Sequence, residues 1–537
     1  MSNSANLAGL YSDVIDFLAQ PAAYSHKPDR VQHLQTHISH VFIADPYVFK
    51  VKKPVDFGFL DYSTPQKRKH FCEREVELNR RLCDDTYLGV IAVIREGDRF
   101  SIGDPEHASA VEYAVKMRKL PEQYFLHTII EEGSLSRTHL DRVAGKLAGF
   151  YSGQHPDSAI LEYGTIEKIK YNTDENFRQT TSFVGQTIDR HAYRAIQAYT
   201  DRYFEENRPL FESRMAKQRI VDGHGDLHLD HIHITPEKVR IYDCIEFNER
   251  FRYGDLAADL AFLAMDLDFN GCWREERYFV DTMAKKLDDP DLYQLIDFYK
   301  CYRAYVKGKV KSLQSTEEEV DPDERAKAAE KAAEYFDLSL RYALLGSRPK
   351  ALIFMGRIGS GKSTLAGNLA DKLGMDIYSS DHIRKRLAGL PLHERTPEKQ
   401  RPKLYAREMS AKTYRVLRER ALEKLQEGES VVLDATFSNR RARREIIDAL
   451  DVNDLDYLFV ETQASDETIR NRLNRREQQD DVVSDARLED FEQLDENYQS
   501  PDELQPGGLV RVSTEHAIED TMGMLYMELI DRNLEKG

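Results

Sequence analysis

Apolar positions in the first third of the chain recur in short β-type runs. Residues 41–53, VFIADPYVFKVKK, are two β-rich segments around an Asp-Pro turn, a pattern that predicts a hairpin. Residues 63–82, STPQKRKHFCEREVELNRRL, have helical periodicity, with Phe71, Val76, Leu78 and Leu82 expected to face inward. Strand-like VIAVIRE and RFSIG come next, then EYAVKMRKLP; from residue 135 onward the pattern is mainly helical. A strand-rich front and a helix-rich back predict a two-lobed α+β unit.

A different rhythm begins near residue 347. Pro322 fits the first turn of a long helix that Gly346 stops, and SRPK then leads into the apolar run 351–355, Ala-Leu-Ile-Phe-Met. A glycine-rich turn and the helix-like LAGNLADKLG follow that run directly. Further strand-like runs, MDIYSS, ESVVLDATF and DYLFVE, alternate with helical stretches, which predicts an α/β domain with a parallel sheet. The expected division is therefore 1–346 and 347–537. A chain of 537 residues is too long for one core.

Composition narrows the class. Hydrophobic residues make up 41% and charged residues 31%, as in ordinary globular protein. No apolar run approaches a membrane span, and the first twenty residues lack a basic leader and a continuous apolar core, so a cytoplasmic location is expected. Cys72, Cys83, Cys244, Cys272 and Cys301 form no C-x-x-C pair and read as reduced thiols. A net charge of −17 argues against a broad non-specific grip on nucleic acid. The basic excess between Arg384 and Arg444 fits the wet face of the helix AREMSAKTYRVLRERALEKLQ.

The chemistry concentrates first in Gly356–Thr364, GRIGSGKST, which is G-x-x-x-x-G-K-[ST] between a buried strand and a helix start. Backbone N–H groups of Gly356, Gly359, Ser360, Gly361 and Thr364 would wrap nucleotide phosphates, Lys362 would reach the β- and γ-phosphates, and Ser363 would sit on Mg²⁺. Asp434, ending the apolar run Val431–Leu433, reads as a second Mg²⁺-side carboxylate. Asp381 and Arg384 form D-x-x-R at a strand end, where open parallel sheets bind ligands. That arrangement resembles the acceptor site of P-loop kinases such as polynucleotide kinase, gluconate kinase and the zeta-toxin group. The resemblance implies that Asp381 is a general base and Arg384 a clamp on an anionic acceptor. Asp381 also suits the N-cap of HIRKRLAG. The helix DETIRNRLNRREQQ resembles the mobile lid of these kinases, with Arg472 and Arg476 one turn apart as the phosphoryl-neutralising pair.

The second concentration is VDGHGDLHLDHIHI, followed by VRIYD and GDLAADLA. His224-Gly-Asp-Leu-His228 resembles the catalytic loop of the aminoglycoside phosphotransferase and choline kinase group, relatives of protein kinases. The resemblance implies that Asp226 takes the acceptor proton, Asp243 holds Mg²⁺, and Asp255 and Asp259 are the acidic residues that follow. Lys50 is the expected ATP-pairing lysine, with Lys52 in reserve, and Glu75 its partner, with Glu77 in reserve. These kinases place a metal-binding Asn where this chain has His231, and imidazole is a poor partner for hard Mg²⁺. A rival reading gathers His224, His228, His231 and His233 into a zinc cluster.

The whole resembles bacterial two-module proteins that join an aminoglycoside-phosphotransferase-like (protein-kinase-like) domain to a P-loop ATPase of the zeta-toxin/polynucleotide-kinase type. It implies a bifunctional ATP- and Mg²⁺-dependent phosphotransferase acting on a small-molecule or 5′-hydroxyl nucleic-acid acceptor, with no membrane and no obligate protein partner. Three alternatives stand beside it: a metabolite-sensing pseudokinase that gates the P-loop module, a polynucleotide 5′-kinase, and an ATPase switch without acceptor.

Overall fold

A computed structural model describes residues 2–318, 320–478, 487–504 and 507–535, with side chains from residue 9 onward. Glu319 in the expected charged loop and Gln479 at the end of the expected lid helix lie outside them. The chain forms two compact units: residues 1–172 with 207–299, and residues 173–206 with 300–537.

The first unit opens on a six-stranded antiparallel sheet in the order β1-β2-β3-β6-β4-β5. Its strands are β1 (Gln32–Gln35), β2 (Ser39–Ala44), β3 (Tyr47–Lys52), β4 (Tyr87–Glu96), β5 (Arg99–Gly103) and β6 (Ala110–Arg118). The expected hairpin is β2–β3, turning at Asp45-Pro46. Period-two alternation divides β3 cleanly. Phe49 and Val51 join Phe42, Ala44, Val14 and Leu18 on one face. Lys50 and Lys52 fall on the other, where they meet the helix Pro65–Asn79 through Glu75. Each large side chain fully buried in the apolar face contributes about 1.5–3 kcal/mol.

Thr64 caps that helix by accepting from the Lys67 N–H at 3.3 Å, and Pro65 occupies its first turn. Val76, Leu78 and Leu82 are buried as expected, whereas Phe71 is half-buried. Beyond the sheet, β7 (Ile220–Asp222) pairs antiparallel with β10 (Tyr253–Asp255), and β8 (Ile232–Ile234) with β9 (Val239–Ile241). The segment 223–231 therefore leaves β7 and enters β8, and Asp243 follows directly on β9. The helix Leu256–Phe269 lies beneath this loop, buried around nearly its whole circumference.

The second unit is built on a five-stranded, wholly parallel sheet, ordered β12-β13-β11-β14-β15. The strands are β11 (Lys350–Gly356), β12 (Asp376–Ser379), β13 (Val431–Asp434), β14 (Asp456–Gln463) and β15 (Leu509–Ser513). Every residue of β11 is buried, as a central strand covered on both faces requires. Both expected fold classes are thus present: an α+β unit with a six-stranded antiparallel sheet, and an α/β unit whose parallel sheet carries the phosphate loop.

The expected 346/347 division falls inside the second unit as compactness divides the chain. Helices Arg190–Glu206, Pro322–Leu345 and Ile518–Leu534 pack on one another. Asn533 donates to the Tyr342 and Ala343 carbonyls at 3.1 Å, and Arg202 pairs with Asp531. Pro322 and Gly346 bound their helix as expected, Gly346 adopting a φ of 70°.

Among the described residues no helix is long and apolar enough to cross a membrane. The helix Arg407–Glu427 buries only Thr413, Leu417, Ala421 and Leu425, so most of its basic residues lie on the solvated side.

Candidate active sites

In the P-loop unit the strand order decides the site. β13 lies beside β11, with Asp434 in register with Phe354, and β12 lies beside β13, with Ser379 opposite Asp434. The phosphate loop, Asp434 and the start of the helix Ser380–Leu387 therefore emerge at the same carboxyl edge of the sheet.

The loop itself is held from behind. Ser360 Oγ lies 2.7 Å from Thr462 Oγ1, and Thr514 Oγ1 donates to the Ser360 carbonyl at 2.6 Å. Gly356 has a φ of 148°, and a Cβ there would sit 2.7 Å from the Thr462 carbonyl oxygen. Gly356→Ala is expected to strain the loop by about 1–3 kcal/mol and to weaken nucleotide binding, read by calorimetry against wild type. Wild-type affinity in that variant would contradict the role given to the close approach.

Asp434 is buried, and its Oδ1 has no hydrogen-bond partner among the described residues. Burial raises its carboxyl above the usual range, against the opposing field of Lys362 and hydrogen bonds from Ser363 and Ser379. A buried, unpaired carboxylate oxygen beside a serine hydroxyl suits a hard cation such as Mg²⁺. Asp381 stands in the first turn of its helix, where Ser379 is the N-cap residue, so the expected capping role does not hold. Its Oδ1 instead accepts from Arg384 Nη1 at 2.9 Å. Arg384 is buried, lies over the Tyr405 ring at 4.7 Å, and its Nε has no hydrogen-bond partner among the described residues.

The two lid arginines separate in role. Arg472 Nη1 donates to Thr514 Oγ1 at 2.9 Å and reaches the Gly359 carbonyl at 3.4 Å, so it is fastened to the phosphate loop. Arg476 feels the charges of Asp381 and Asp434, and burial lowers its pKa despite them. A cleft of about 320 Å³ is lined by Gly361, Thr364, Arg472, Arg476, Thr514 and His516, among others.

In the first unit four distant segments converge. Lys50 Nζ lies 3.0 Å from Glu75 Oε1 and donates to Asp243 Oδ1 at 2.6 Å. Lys52, fully buried, takes the other oxygen of Glu75 at 2.7 Å and pairs with Glu246, which also accepts from Tyr62 at 2.5 Å. Glu77, the reserve partner, is exposed and pairs with Arg74, outside this group. Burial works against the charged Asp243, yet the Lys50 ammonium overrides it and holds the carboxyl well below its usual range. Burial likewise opposes charge on Lys50, and Asp243 and Glu75 together keep its ammonium protonated far above neutral pH. Asp243 has a φ of 62°, a left-handed backbone unusual outside glycine and of the kind that collects at functional sites.

The loop before it is fixed by the helix beneath. Asp259 accepts the N–H groups of His224 and Gly225, at 2.5 and 2.8 Å, and Asp266 accepts that of Leu229 at 3.0 Å. Asp255 caps the helix through the Ala257 N–H at 2.8 Å and binds Arg214 through both oxygens. Asp226 remains half-buried, 3.3 Å from His228 Nε2.

The four-histidine zinc cluster does not form. His224 donates from Nε2 to the Tyr242 carbonyl at 2.9 Å, and its Nδ1 accepts the Asp226 N–H at 3.3 Å. His233 donates to the Pro121 carbonyl at 3.1 Å. Both rings are committed to backbone. His231 stays in the site, with Nδ1 donating to the Asp226 carbonyl at 2.8 Å and Nε2 3.6 Å from Asp243 Oδ2. Burial, reinforced by His228, pushes its pKa down to about 4.

Sequence reasoning missed Glu246, Tyr62 and Thr514. Glu246 stands three residues after Asp243 in an otherwise apolar CIEF, a buried carboxylate that demands a cation. Thr514 carries no comparable signal.

Comparison with known proteins gives one family match, inside the second unit. Residues 352–501 match the AAA domain family. The uncharacterized protein Rv2004c of Mycobacterium tuberculosis is 31% identical over 413 residues, which cover 76% of this chain and 79% of that one. The ADP-bound aminoglycoside phosphotransferase APH(2'')-Ib is 16% identical, spanning 58% of this chain and 95% of its own, with a TM-score of 0.33. A gluconokinase from Sinorhizobium meliloti is 20% identical, spanning 35% and 95%, with a TM-score of 0.25.

Proposed function

The chain belongs to the same family as its mycobacterial relative, and on that premise we propose a bifunctional ATP-dependent phosphotransferase, with an aminoglycoside-phosphotransferase-like unit joined to a P-loop unit. Each unit moves the γ-phosphoryl of ATP to an acceptor hydroxyl. The observation that carries this reading is that each unit assembles its own set of phosphate-side cation, metal-side carboxylate and candidate base. In the first unit these are Lys50, Asp243 and Asp226. In the second they are Lys362, Asp434 and Asp381.

Loose phosphoryl-transfer transition states need positioning and charge more than covalent help. Lys50, oriented by Glu75, places the nucleotide in the first unit, and Asp226 accepts the proton of the attacking hydroxyl. In the second unit the loop amides and Lys362 hold the phosphates, Arg476 neutralises the moving group, and Asp381 accepts the proton. Mg²⁺ would supply charge neutralisation at Asp434 and Ser363. The buried guanidinium of Arg384, with Nε unpaired, favours an acceptor that carries an anionic group close to its hydroxyl.

The test is a screen of sugars, nucleosides, aminoglycosides and 5′-hydroxyl oligonucleotides for ATP-dependent gain of one phosphate. Asp226→Ala is expected to remove one acceptor class and Asp381→Ala another. Phosphate release that ignores every acceptor and both substitutions would falsify the transferase reading and leave an ATPase switch. One observation favours a sensor role for the first unit, namely His231 in place of an oxygen ligand. Mg·ATP binding there without Asp226-dependent turnover would support that role.

A further inference from the structure

Mg²⁺ is the ion that the kinase resemblance implies for the first unit, and one of the side chains that would hold it, His231, does not suit it. Mg²⁺ demands oxygen ligands in octahedral array, whereas imidazole suits transition metals. The geometry around His231 says more. Its Nδ1–H is committed to the Asp226 carbonyl at 2.8 Å, so Nε2 is the ring nitrogen left to meet a ligand. That nitrogen lies 3.6 Å from Asp243 Oδ2, a carboxylate oxygen.

A cation standing between these two atoms would be held by both. Lys50 does not fill that place, because it binds the opposite oxygen, Oδ1, at 2.6 Å. Ligand atoms bonded at about 2.0–2.2 Å to one transition-metal ion lie about 3–3.6 Å apart, so the spacing matches the bite of a single ion. Asp226 and His228 supply further donors, one atom of each lying within 4.8 Å of the other and of a ring nitrogen of His231.

We propose that the first unit takes a transition-metal dication, bound by His231 Nε2 and Asp243 Oδ2, in preference to Mg²⁺. This deepens the phosphotransferase reading of the same site, since the ion would stand where nucleotide phosphates arrive.

Mn²⁺ alone, titrated into the full chain without nucleotide and followed by electron paramagnetic resonance, tests it. The expected result is bound Mn²⁺ that carries ¹⁴N coupling from an imidazole and survives about a hundredfold excess of Mg²⁺, with His231→Asn losing the coupling and at least about tenfold in Mn²⁺ affinity. His231→Gln, which also lacks the ring, should behave alike, with circular dichroism confirming that both fold. Bound Mn²⁺ without nitrogen coupling in wild type, or its displacement by equimolar Mg²⁺, overturns the proposal whatever the variants do. Coupling without transfer to any hydroxyl keeps this inference and sinks the phosphotransferase reading. Transfer without coupling does the reverse.

Discussion

Lys362→Ala is expected to lower phosphoryl transfer by the P-loop unit by about 10²–10³-fold or more, because it removes a fixed charge from where negative charge concentrates in the transition state. The loop should survive the change. Its backbone is held by Ser360, Thr462 and Thr514, none of which depends on the lysine. The nucleotide site proposed for the first unit should be untouched, since Lys50, Glu75 and Asp243 lie on other segments. Titration of ATP into wild type should therefore give two equivalents. The variant should keep the equivalent that Lys50→Ala removes and lose or weaken the other. A single equivalent in wild type, abolished by Lys362→Ala, would sink the two-site reading. Transfer at the wild-type rate by the variant would remove Lys362 from the mechanism.

The parts of these sites that were legible in the sequence are those whose chemistry is local. The run 351–355, the loop after it and Lys362 lie within a dozen residues, and strand burial follows from the same letters. Lys50 and Lys52 share a strand face by period two, so both were in view from one short segment. What could not be read is what those groups meet. Lys52 finds Tyr62, Glu75 and Glu246, and the last of these is nearly two hundred residues away.

Asp381 shows the other kind of miss. Its position before HIRKRL suggests a cap, but the helix starts two residues earlier than that implies, at Ser380, and Ser379 stands at the cap position. The carboxylate is thereby released to hold Arg384. Arg472 and Arg476, read as an equivalent pair, diverge because Thr514 captures the first and burial near two carboxylates receives the second. The helices that complete the second unit, Arg190–Glu206 and Pro322–Leu345, carry no motif that ties them to it. They are joined by packing and by a few polar contacts, Asn533 to the Tyr342 and Ala343 carbonyls and Arg202 to Asp531.

The largest stability effect is expected at Arg214. Its side chain is completely buried and binds three carboxylate oxygens, two of Asp255 at 2.7 and 2.8 Å and one of Asp289 at 2.5 Å. Both carboxylates are buried with it. Arg214→Met leaves two uncompensated negative charges away from water, and the only cation remaining near them is Arg219, 3.8 Å from Asp289, among the described residues. Breaking such a buried pair from one side costs about 3–5 kcal/mol.

The change should also reach the loop 223–231, which carries the proposed base Asp226. Asp255 caps the helix whose next turn carries Asp259, the acceptor for the His224 and Gly225 N–H groups. Urea unfolding should therefore show the loss in stability, and the remaining folded protein should show weakened Asp226-dependent turnover. Arg214→Lys should rescue little, because one ammonium cannot reproduce a planar fork that engages two carboxylates at once. A loss below about 1 kcal/mol in Arg214→Met would mean that water or rearranged side chains reach Asp255 and Asp289, and that the loop is positioned by other means.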